Sequence, residues 1–389
     1  MRVAHAYKFF KPEVEGEIPE AMDILARGLA ARGHENTIVV ARRRGRGLIE
    51  EEPGLRIDRC PSLGSILSLP VAPTYPLHLR RALKVADVLA VHAPFPLADP
   101  IAATLSPSTA LVVHWHADIV RQKRTEAMLA PLSRRMLGRA DHIIVAHESI
   151  FDSTPVLQSY RDKVSFIPYG IDVPRWQLTT SADDVSITRL RRQHPVLYVT
   201  VGRLVSYKGF DVLLKAMCLL DGHLVICGEG PERGRLQGLA REMGVEERVT
   251  FAGPVTALQM RRYLSAATCF VFPSVTEAET FGIAQLEAMA RGVPVVNTAL
   301  STAVPHIARH DHEALTVPPG NVDALRRAMR TMAWDHELRQ RLSAAARKRA
   351  EDHFSNSQFI EGVLRVYELA CLRVTRQPLT GKPKMASST

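Results

Sequence analysis

The chain has 389 residues, a formal net charge of +10, 46% apolar residues and 23% charged ones. That length allows two or three domains with substantial cores, and no apolar run approaches the ~18–20 residues that span a bilayer. The five cysteines, Cys60, Cys218, Cys227, Cys269 and Cys371, are scattered, odd in number and without a CxxC, so they read as reduced core residues rather than a disulfide framework or a zinc site. The opening MRVAHAYKFFKP has no apolar signal segment, and a cytoplasmic protein is expected.

The first part of the chain alternates apolar strands, at 2–6, 36–41, 88–92, 110–115, 142–146 and 164–167, with helical patterns at 18–32 and about 122–137. Such alternation predicts βα units and a parallel sheet, whose ligands bind beyond the carboxyl ends of the strands. Polar residues cluster at those ends: His92, His114, His116, Asp118 and Tyr169. Much of the positive excess lies in Arg42, Arg43, Arg44 and Arg46, then in Arg121, Lys123, Arg124, Arg134, Arg135 and Arg139. The second group is interleaved with Met128, Leu129, Leu132, Met136 and Leu137 at near-helical spacing. A helix of that kind fits an anionic membrane surface or the surface of its own domain. Sparse aromatics and the lack of a reader motif argue against a nucleic-acid partner.

Residues 173–194 lose periodicity and gather Pro, Ser, Thr and charge, as expected of a linker. A second βα series follows: strand 196–203, helix 210–220, strand 223–230, helix 232–243, strand 248–253, helix 258–266 and strand 269–274. The next helix opens near Phe281 and Gly282 and closes before Gly292; strands at 294–298 and 314–319 and helices at 322–335, 336–353 and 356–373 complete the chain. The expected division is therefore a domain at 1–172, a linker at 173–194, a domain at 195–355, a last helix at 356–374 and a polar, disordered tail at 375–389.

Three stretches carry chemistry. In PSVTEAETFGIAQLEAMARGVP, Glu279 and Glu287 stand eight residues apart around a helix start, a rise of roughly 12 Å if helical throughout. Unpaired N–H groups at a helix N-terminus suit a phosphate, and carboxylates on either side accept from hydroxyls. The plainer alternative makes Glu279 a complement to the helix dipole and Glu287 a solvated residue. In GRLVSYKGF, Arg203 and Lys208 occupy a loop before a helix, where two fixed cations can neutralise a departing diphosphate without a metal. No Asp-x-Asp is present, consistent with metal independence. In CGEGPE, Gly228 and Gly230 only partly satisfy a dinucleotide fingerprint, because Gly234 is wrongly spaced, and an oxidoreductase is disfavoured.

These stretches resemble the retaining GT-B glycosyltransferases of family 4. The family pattern E-x-F-G-x-x-x-x-E-A-M-A-x-G-x-P-V is matched by Glu279, Phe281, Gly282, Glu287, Ala288, Met289, Ala290, Gly292, Pro294 and Val295, and its G-R-L…K-G-F element by Gly202, Arg203, Lys208 and Gly209. The resemblance runs over 1–373 and is densest over 201–319. It implies an α/β GT-B fold: two Rossmann-like βαβ domains facing a cleft, the first binding acceptor and the second nucleotide sugar, with the last helix crossing back to the first. It also implies a metal-independent hexosyltransferase that retains anomeric configuration and acts on a glycan or lipid-linked acceptor in cell-surface polysaccharide or lipopolysaccharide synthesis. Such an enzyme would be cytoplasmic, with peripheral contact to the inner face of the membrane.

Residue by residue, the resemblance gives the diphosphate to Arg203, Lys208 and the helix start at Gly282 and Ile283, the sugar hydroxyls to Glu279, and the ribose to Glu287. Phe281 and Gly202 belong to the same donor-binding elements. Gly228, Gly230 and Val255 become neighbours of the nucleotide, His116 a contact to donor sugar or acceptor, and Gly16 a close approach to phosphate and acceptor. VHAPFPLADP, with His92, and the run 114–123 are similar to the subgroup that uses GDP-activated mannose or rhamnose; a UDP sugar is the other option. Two positions depart from the pattern: Glu15 stands where a glycine aligns, and Tyr169 where Asn is frequent. Alternatives are a GT-B sugar-nucleotide epimerase, a phosphorylase whose pyridoxal lysine has no counterpart here, and a non-catalytic nucleotide- or polyanion-binding protein.

Overall fold

The computed structural model describes residues 1–14, 16–66, 69–116 and 123–376, without the side chains of 123–129, 375 and 376. Glu15, Asp118, Arg121 and the tail from 377 lie outside the described residues, as do the side chains of Lys123, Arg124, Met128 and Leu129. The chain forms two compact units: Met1–Val145, Val156–Ile167 and everything from Ile360 in the first, Ala146–Pro155 and Pro168–Phe359 in the second.

The first unit contains β1 (Arg2–Ala6), α1 (Glu17–Ala30), β2 (Glu35–Ala41), β3 (Leu48–Glu52), β4 (Leu55–Cys60), the short pair β5 (Ser65–Ile66) and β6 (Leu69–Pro70), α2 (Tyr75–Leu83), β7 (Val88–Ala93), α3 (Asp99–Ala103), β8 (Ala110–Trp115), α4 (Lys123–Arg139), β9 (His142–Val145) and β10 (Val164–Phe166). Eight of these strands make one sheet in the order β10-β9-β8-β7-β1-β2-β4-β3, parallel throughout except where β3 joins β4. β7 and β8 are buried at every residue, as expected for parallel strands covered on both faces.

β3, LIEEE, gave no strand signal because an edge strand needs no apolar face. Its acids pair instead with β4, Glu51 with Arg56 and Glu50 with Arg59, both at 2.7 Å. In α4, Met136 and Leu137 are buried while Arg134 and Arg135 are exposed, so the described end of the basic helix packs on its own unit. Arg139 is committed to structure there, donating to the carbonyls of Ser106 at 3.0 Å and Thr109 at 2.9 Å.

The second unit contains α5 (Glu148–Asp152), α6 (Val173–Gln177), α7 (Ser181–Gln193), β11 (Leu197–Val201), α8 (Phe210–Met217), β12 (His223–Cys227), α9 (Arg233–Glu242), β13 (Val249–Gly253), α10 (Ala257–Ala266), β14 (Cys269–Val271), α11 (Ile283–Ala290), β15 (Val295–Thr298), α12 (Val304–Ile307), β16 (Ala314–Val317), α13 (Val322–Trp334) and α14 (His336–His353). Its six strands are all parallel, in the order β13-β12-β11-β14-β15-β16, over a core that includes Tyr198, Leu213, Leu224, Ile226 and Met329. Chain order reverses at β11, which lies between β12 and β14, so the loops after β11 and β14 flank the switch point where such sheets bind ligands. In the first unit β1 occupies the same position, between β2 and β7.

Residues 173–194 are two helices rather than an irregular segment. Pro174 sits in the first turn of α6, and Thr180 with Asp183 forms a capping box that opens α7. Distant residues then fix the segment: Arg262 binds Asp183 at 2.7 Å, and Arg291 donates to the carbonyl of Gln177 at 2.8 Å and to Thr179 Oγ1 at 2.7 Å. No local periodicity encodes those partners.

The last helix, α15 (Asn356–Arg376), begins in the second unit and belongs to the first from Ile360 onward. In the first unit its Tyr367 is fully buried and its hydroxyl lies 2.8 Å from Nε2 of His114. Tyr367→Phe removes that bond and leaves a buried ring nitrogen unsatisfied, a cost of about 1–3 kcal/mol. The expected readouts are a lower denaturant midpoint and faster amide exchange over 360–376.

Candidate functional site

The loops after β11 and β14 are built around one ion pair. Lys208 Nζ contacts Glu279 Oε2, and their side chains are only 14% and 4% exposed. Ser274 Oγ donates to the same Glu279 oxygen at 3.0 Å, while the Lys208 ammonium lies 5.1 Å from the ring centre of Phe272 and 5.6 Å from that of Tyr207. Charges removed from water this far are tolerated because they are paired, hydrogen-bonded and set on aromatic faces.

The backbone that presents the pair is fixed at several points. Val275 N–H donates to the Tyr207 carbonyl at 2.8 Å, joining the two loops, and Thr298 Oγ1 donates to the Ser274 carbonyl at 2.6 Å. Gly209, directly after Lys208, has φ 66°, and a Cβ there would lie 2.0 Å from the Pro273 carbonyl oxygen. Only glycine permits both that conformation and that approach.

α11 follows Glu279 closely. Gly282 starts it at φ 84° and ψ 56° and, being a glycine, supplies no side-chain cap; the helix reads IAQLEAMA. The positive end of the helix dipole lies at that turn, where Gln285 N–H donates to the Gly282 carbonyl at 3.0 Å. Buried Gln285 steadies that turn: its Oε1 accepts from Asn297 Nδ2 at 2.8 Å and its Nε2 donates to the Val304 carbonyl at 3.3 Å. Phe281 is fully buried, with its ring centre 4.8 Å from that of Tyr169. Glu287 is half-buried, four residues and about 6 Å along the helix from Ile283.

The structure thus assembles Lys208, Glu279, Phe281, Gly282, Ile283 and Glu287 on adjoining elements of the second unit. Arg203 is exposed on the loop that carries Lys208 and makes no ion pair among the described residues. Gly202, Gly228 and Gly230 serve first in loop-to-loop approach. A Cβ on Gly228 would lie 2.1 Å from the Gly202 oxygen, one on Gly230 would lie 2.4 Å from the Leu204 oxygen, and Leu204 N–H donates to the Glu229 carbonyl at 3.0 Å. Val255 is half-exposed in the turn before α10. Ser274, Tyr207, Phe272 and the Gln285–Asn297 pair were not anticipated; only the apolar run before Pro273 hinted at an aromatic floor.

His116 and Gly16 belong to the first unit. Gly16 is exposed at the start of α1 with φ 154°. His116 is buried, its Nε2 2.9 Å from His92 Nδ1, and its pKa is pushed down to about 3 by burial. His5 stands behind His92, with its pKa pushed down to about 4 by burial, and His92 and His114 lie well below the usual histidine range, first through burial and then through neighbouring histidines. These rings are neutral at pH 7.

Asp58, Cys60 and His78 of the first unit form a group of metal-ligand chemistry, their ligand atoms within 4.8 Å of one another. His78 Nδ1 lies 2.9 and 3.0 Å from the two Asp58 oxygens, a hydrogen bond that satisfies both groups without an ion. Burial, then the Asp58 charge, raises the Cys60 pKa, which favours the thiol over the thiolate that ligates metals.

Two family models match the chain: Glycosyltransferase Family 4 over residues 22–175, and Glycosyl transferases group 1 over residues 187–349. The chain is 29% identical over 342 residues to D-rhamnosyltransferase WbpZ of Pseudomonas aeruginosa, covering 86% of this chain and 87% of that protein. It is 27% identical over 371 residues to O-antigen chain mannosyltransferase C of Escherichia coli, covering 94% and 98%. Among solved structures, sucrose-phosphate synthase from Thermosynechococcus elongatus has the same fold, with a TM-score of 0.78 at 21% identity over 94% of this chain and 98% of that one. Two Rossmann-like units, each with its polar loops at the switch point of a parallel sheet, define a GT-B protein. The chain belongs to the GT-B glycosyltransferases of family 4.

Lys208→Met strands a buried carboxylate and is expected to destabilise the second unit by about 3–5 kcal/mol. In urea denaturation the double variant Lys208→Met/Glu279→Gln should recover more than half of that loss. The first unit should respond to acid. A histidine held below its unfolded pKa takes up a proton on unfolding, so stability falls as pH drops from about 6.5 towards the folded pKa of about 4 for His5. Melting curves between pH 7 and pH 4.5 should show that decline, reduced in His5→Phe.

Proposed function

We propose that this glycosyltransferase moves a hexose from a nucleotide diphosphate sugar to a glycan or lipid-linked acceptor, with retention at the anomeric carbon. GDP-mannose or GDP-rhamnose is the favoured donor and a UDP sugar the second choice. The observation that carries the proposal is the buried Lys208–Glu279 pair at the β11/β14 switch point, next to the start of α11 at Gly282. A diphosphate is complementary to that arrangement: an ammonium, the exposed Arg203 guanidinium and the positive end of the α11 dipole. Glu279 then accepts from donor-sugar hydroxyls, and Glu287 from the ribose.

In the proposed front-face displacement, the bond from the anomeric carbon to the phosphate oxygen breaks as the bond to the acceptor oxygen forms on the same side. The acceptor proton passes to the leaving diphosphate. Lys208, Arg203 and the α11 dipole stabilise the charge that grows on that diphosphate, a role that needs no metal. Gly202, Gly228, Gly230, Val255, Phe281 and Gly282 shape the nucleotide side, while the first unit, with His116 and Gly16, recognises acceptor.

The mannosyl- and rhamnosyltransferase relatives support a place in O-antigen or related surface-polysaccharide synthesis. No helix among the described residues is long and apolar enough to cross a membrane. Exposed Arg134 and Arg135 are the residues we assign to peripheral contact with anionic lipid around a lipid-linked acceptor.

Thermal-shift measurements against GDP, UDP and ADP and their sugars test the donor: a GDP or UDP ligand should raise the melting temperature, with GDP giving the larger shift. Glu279→Ala should lower kcat for transfer about 10²–10³-fold, the usual loss for a group aimed at transition-state charge or substrate position, and product NMR should show retained configuration. Ligand binding with no turnover of any nucleotide sugar, indifferent to Glu279→Ala, would point instead to a non-catalytic binding module.

A further inference from the structure

Sheet register in the first unit lines up a set of buried polar side chains. Val3 pairs with Asn36, His5 with Ala90 and His92 with His114, so Asn36, His5, His92 and His114 share one face, since side chains two apart point the same way. His116 N–H donates to the Ala93 carbonyl at 3.2 Å, which extends the ladder one step past β8. Asn36, His5, His92 and His116 are each at most 6% exposed.

Their side chains form a single hydrogen-bonded file whose direction can be assigned. Asn36 Nδ2 lies 3.1 Å from the His34 carbonyl and 3.4 Å from the Gly54 carbonyl, two groups that only accept. The amide nitrogen therefore faces them, and Oδ1 faces His5 Nε2 at 3.3 Å. An amide oxygen cannot donate, so His5 carries its proton on Nε2. A neutral imidazole has one N–H, which leaves His5 Nδ1 as an acceptor. His92 Nε2, 3.3 Å away, must then donate, and its Nδ1 in turn accepts from His116 Nε2 at 2.9 Å. The opposite order would set a lone pair of His5 against a lone pair of Asn36.

We propose that Asn36, His5 and His92 are positioning residues that lock His116 in its Nε2–H tautomer, so that His116 meets a substrate hydroxyl as a hydrogen-bond acceptor through Nδ1. That the hydroxyl is a sugar's depends on the glycosyltransferase reading; the tautomer order does not. Burial keeps every ring in the file neutral, as the pKa of His116, pushed down to about 3, reflects. The file orients but does not carry protons away, because it ends on an amide oxygen that has no basic site to receive one. His114 stands beside it, stacked on His92 at 4.6 Å between ring centres and anchored to Tyr367.

The test is long-range proton–nitrogen correlation NMR on the full chain labelled with ¹⁵N-histidine, at neutral pH. His5, His92 and His116 should each show a protonated Nε2 and an unprotonated Nδ1. Asn36→Leu removes the anchor; His116 should then populate its Nδ1–H form, and kcat for transfer should fall about tenfold, as for loss of an outer-sphere partner, with donor KM changed less than twofold. An Nδ1–H tautomer of His116 in the unmodified protein overturns the proposal, as does an unaltered Nε2–H tautomer in Asn36→Leu. Should Asn36→Leu not fold, the spectrum of the unmodified protein decides alone. The expected tautomers in a chain with no transfer activity would overturn the enzymatic reading while leaving the file as described.

Discussion

A lysine and a glutamate held almost out of water at a sheet's switch point constrain everything near them. Neither Lys208 nor Glu279 could occupy its place alone, because an unpaired buried charge costs more than a short loop can compensate. Their pairing dictates the rest: a left-handed glycine to bring one loop under the other, a serine to satisfy the same oxygen, aromatic rings beneath the ammonium, and a helix beginning within a few residues. The result is a fixed positive charge beside a fixed negative one, next to the positive end of a helix. A diphosphate-linked sugar, anionic at one end and hydroxylated at the other, is complementary to that pattern.

The first unit applies the same topological rule with different chemistry. Its strand order also reverses, at β1, and the residues around that point are neutral imidazoles rather than an ion pair. Burial deprives them of charge and so of strong basicity, but it fixes their hydrogen-bonding sense. Both units thus specify their polar groups by removing water, one through charge pairing and the other through a file of single protons.

Much of this was legible in the sequence because the controlling forces are local. Buried parallel strands such as VLAVHA and ALVVHW announce themselves as continuous apolar runs, and α14 and α15 follow their helical spacing closely. The density of motif around Glu279 and Glu287 marked the loop and helix that adjoin the ion pair. Illegible features depended on long-range partners. β3 exists because Arg56 and Arg59 stand opposite its glutamates, and α6 and α7 are held by Arg262 and Arg291 from much later in the chain. The roles of Gly228 and Gly230 emerge only when a neighbouring loop is seen to occupy the space a Cβ would fill. Asn36 and His5 carried no signal at all, since a buried amide beside a buried imidazole becomes meaningful only through register.

On the function proposed above, the start of α11 and Lys208 receive a diphosphate. The most direct measurement is a crystal structure with a nucleoside diphosphate bound. Phosphate oxygens are expected within hydrogen-bond distance of the Ile283 N–H and of Lys208 Nζ, with Glu279 turned to the sugar side. A diphosphate bound elsewhere, with the Lys208–Glu279 contact intact and α11 untouched, would contradict it.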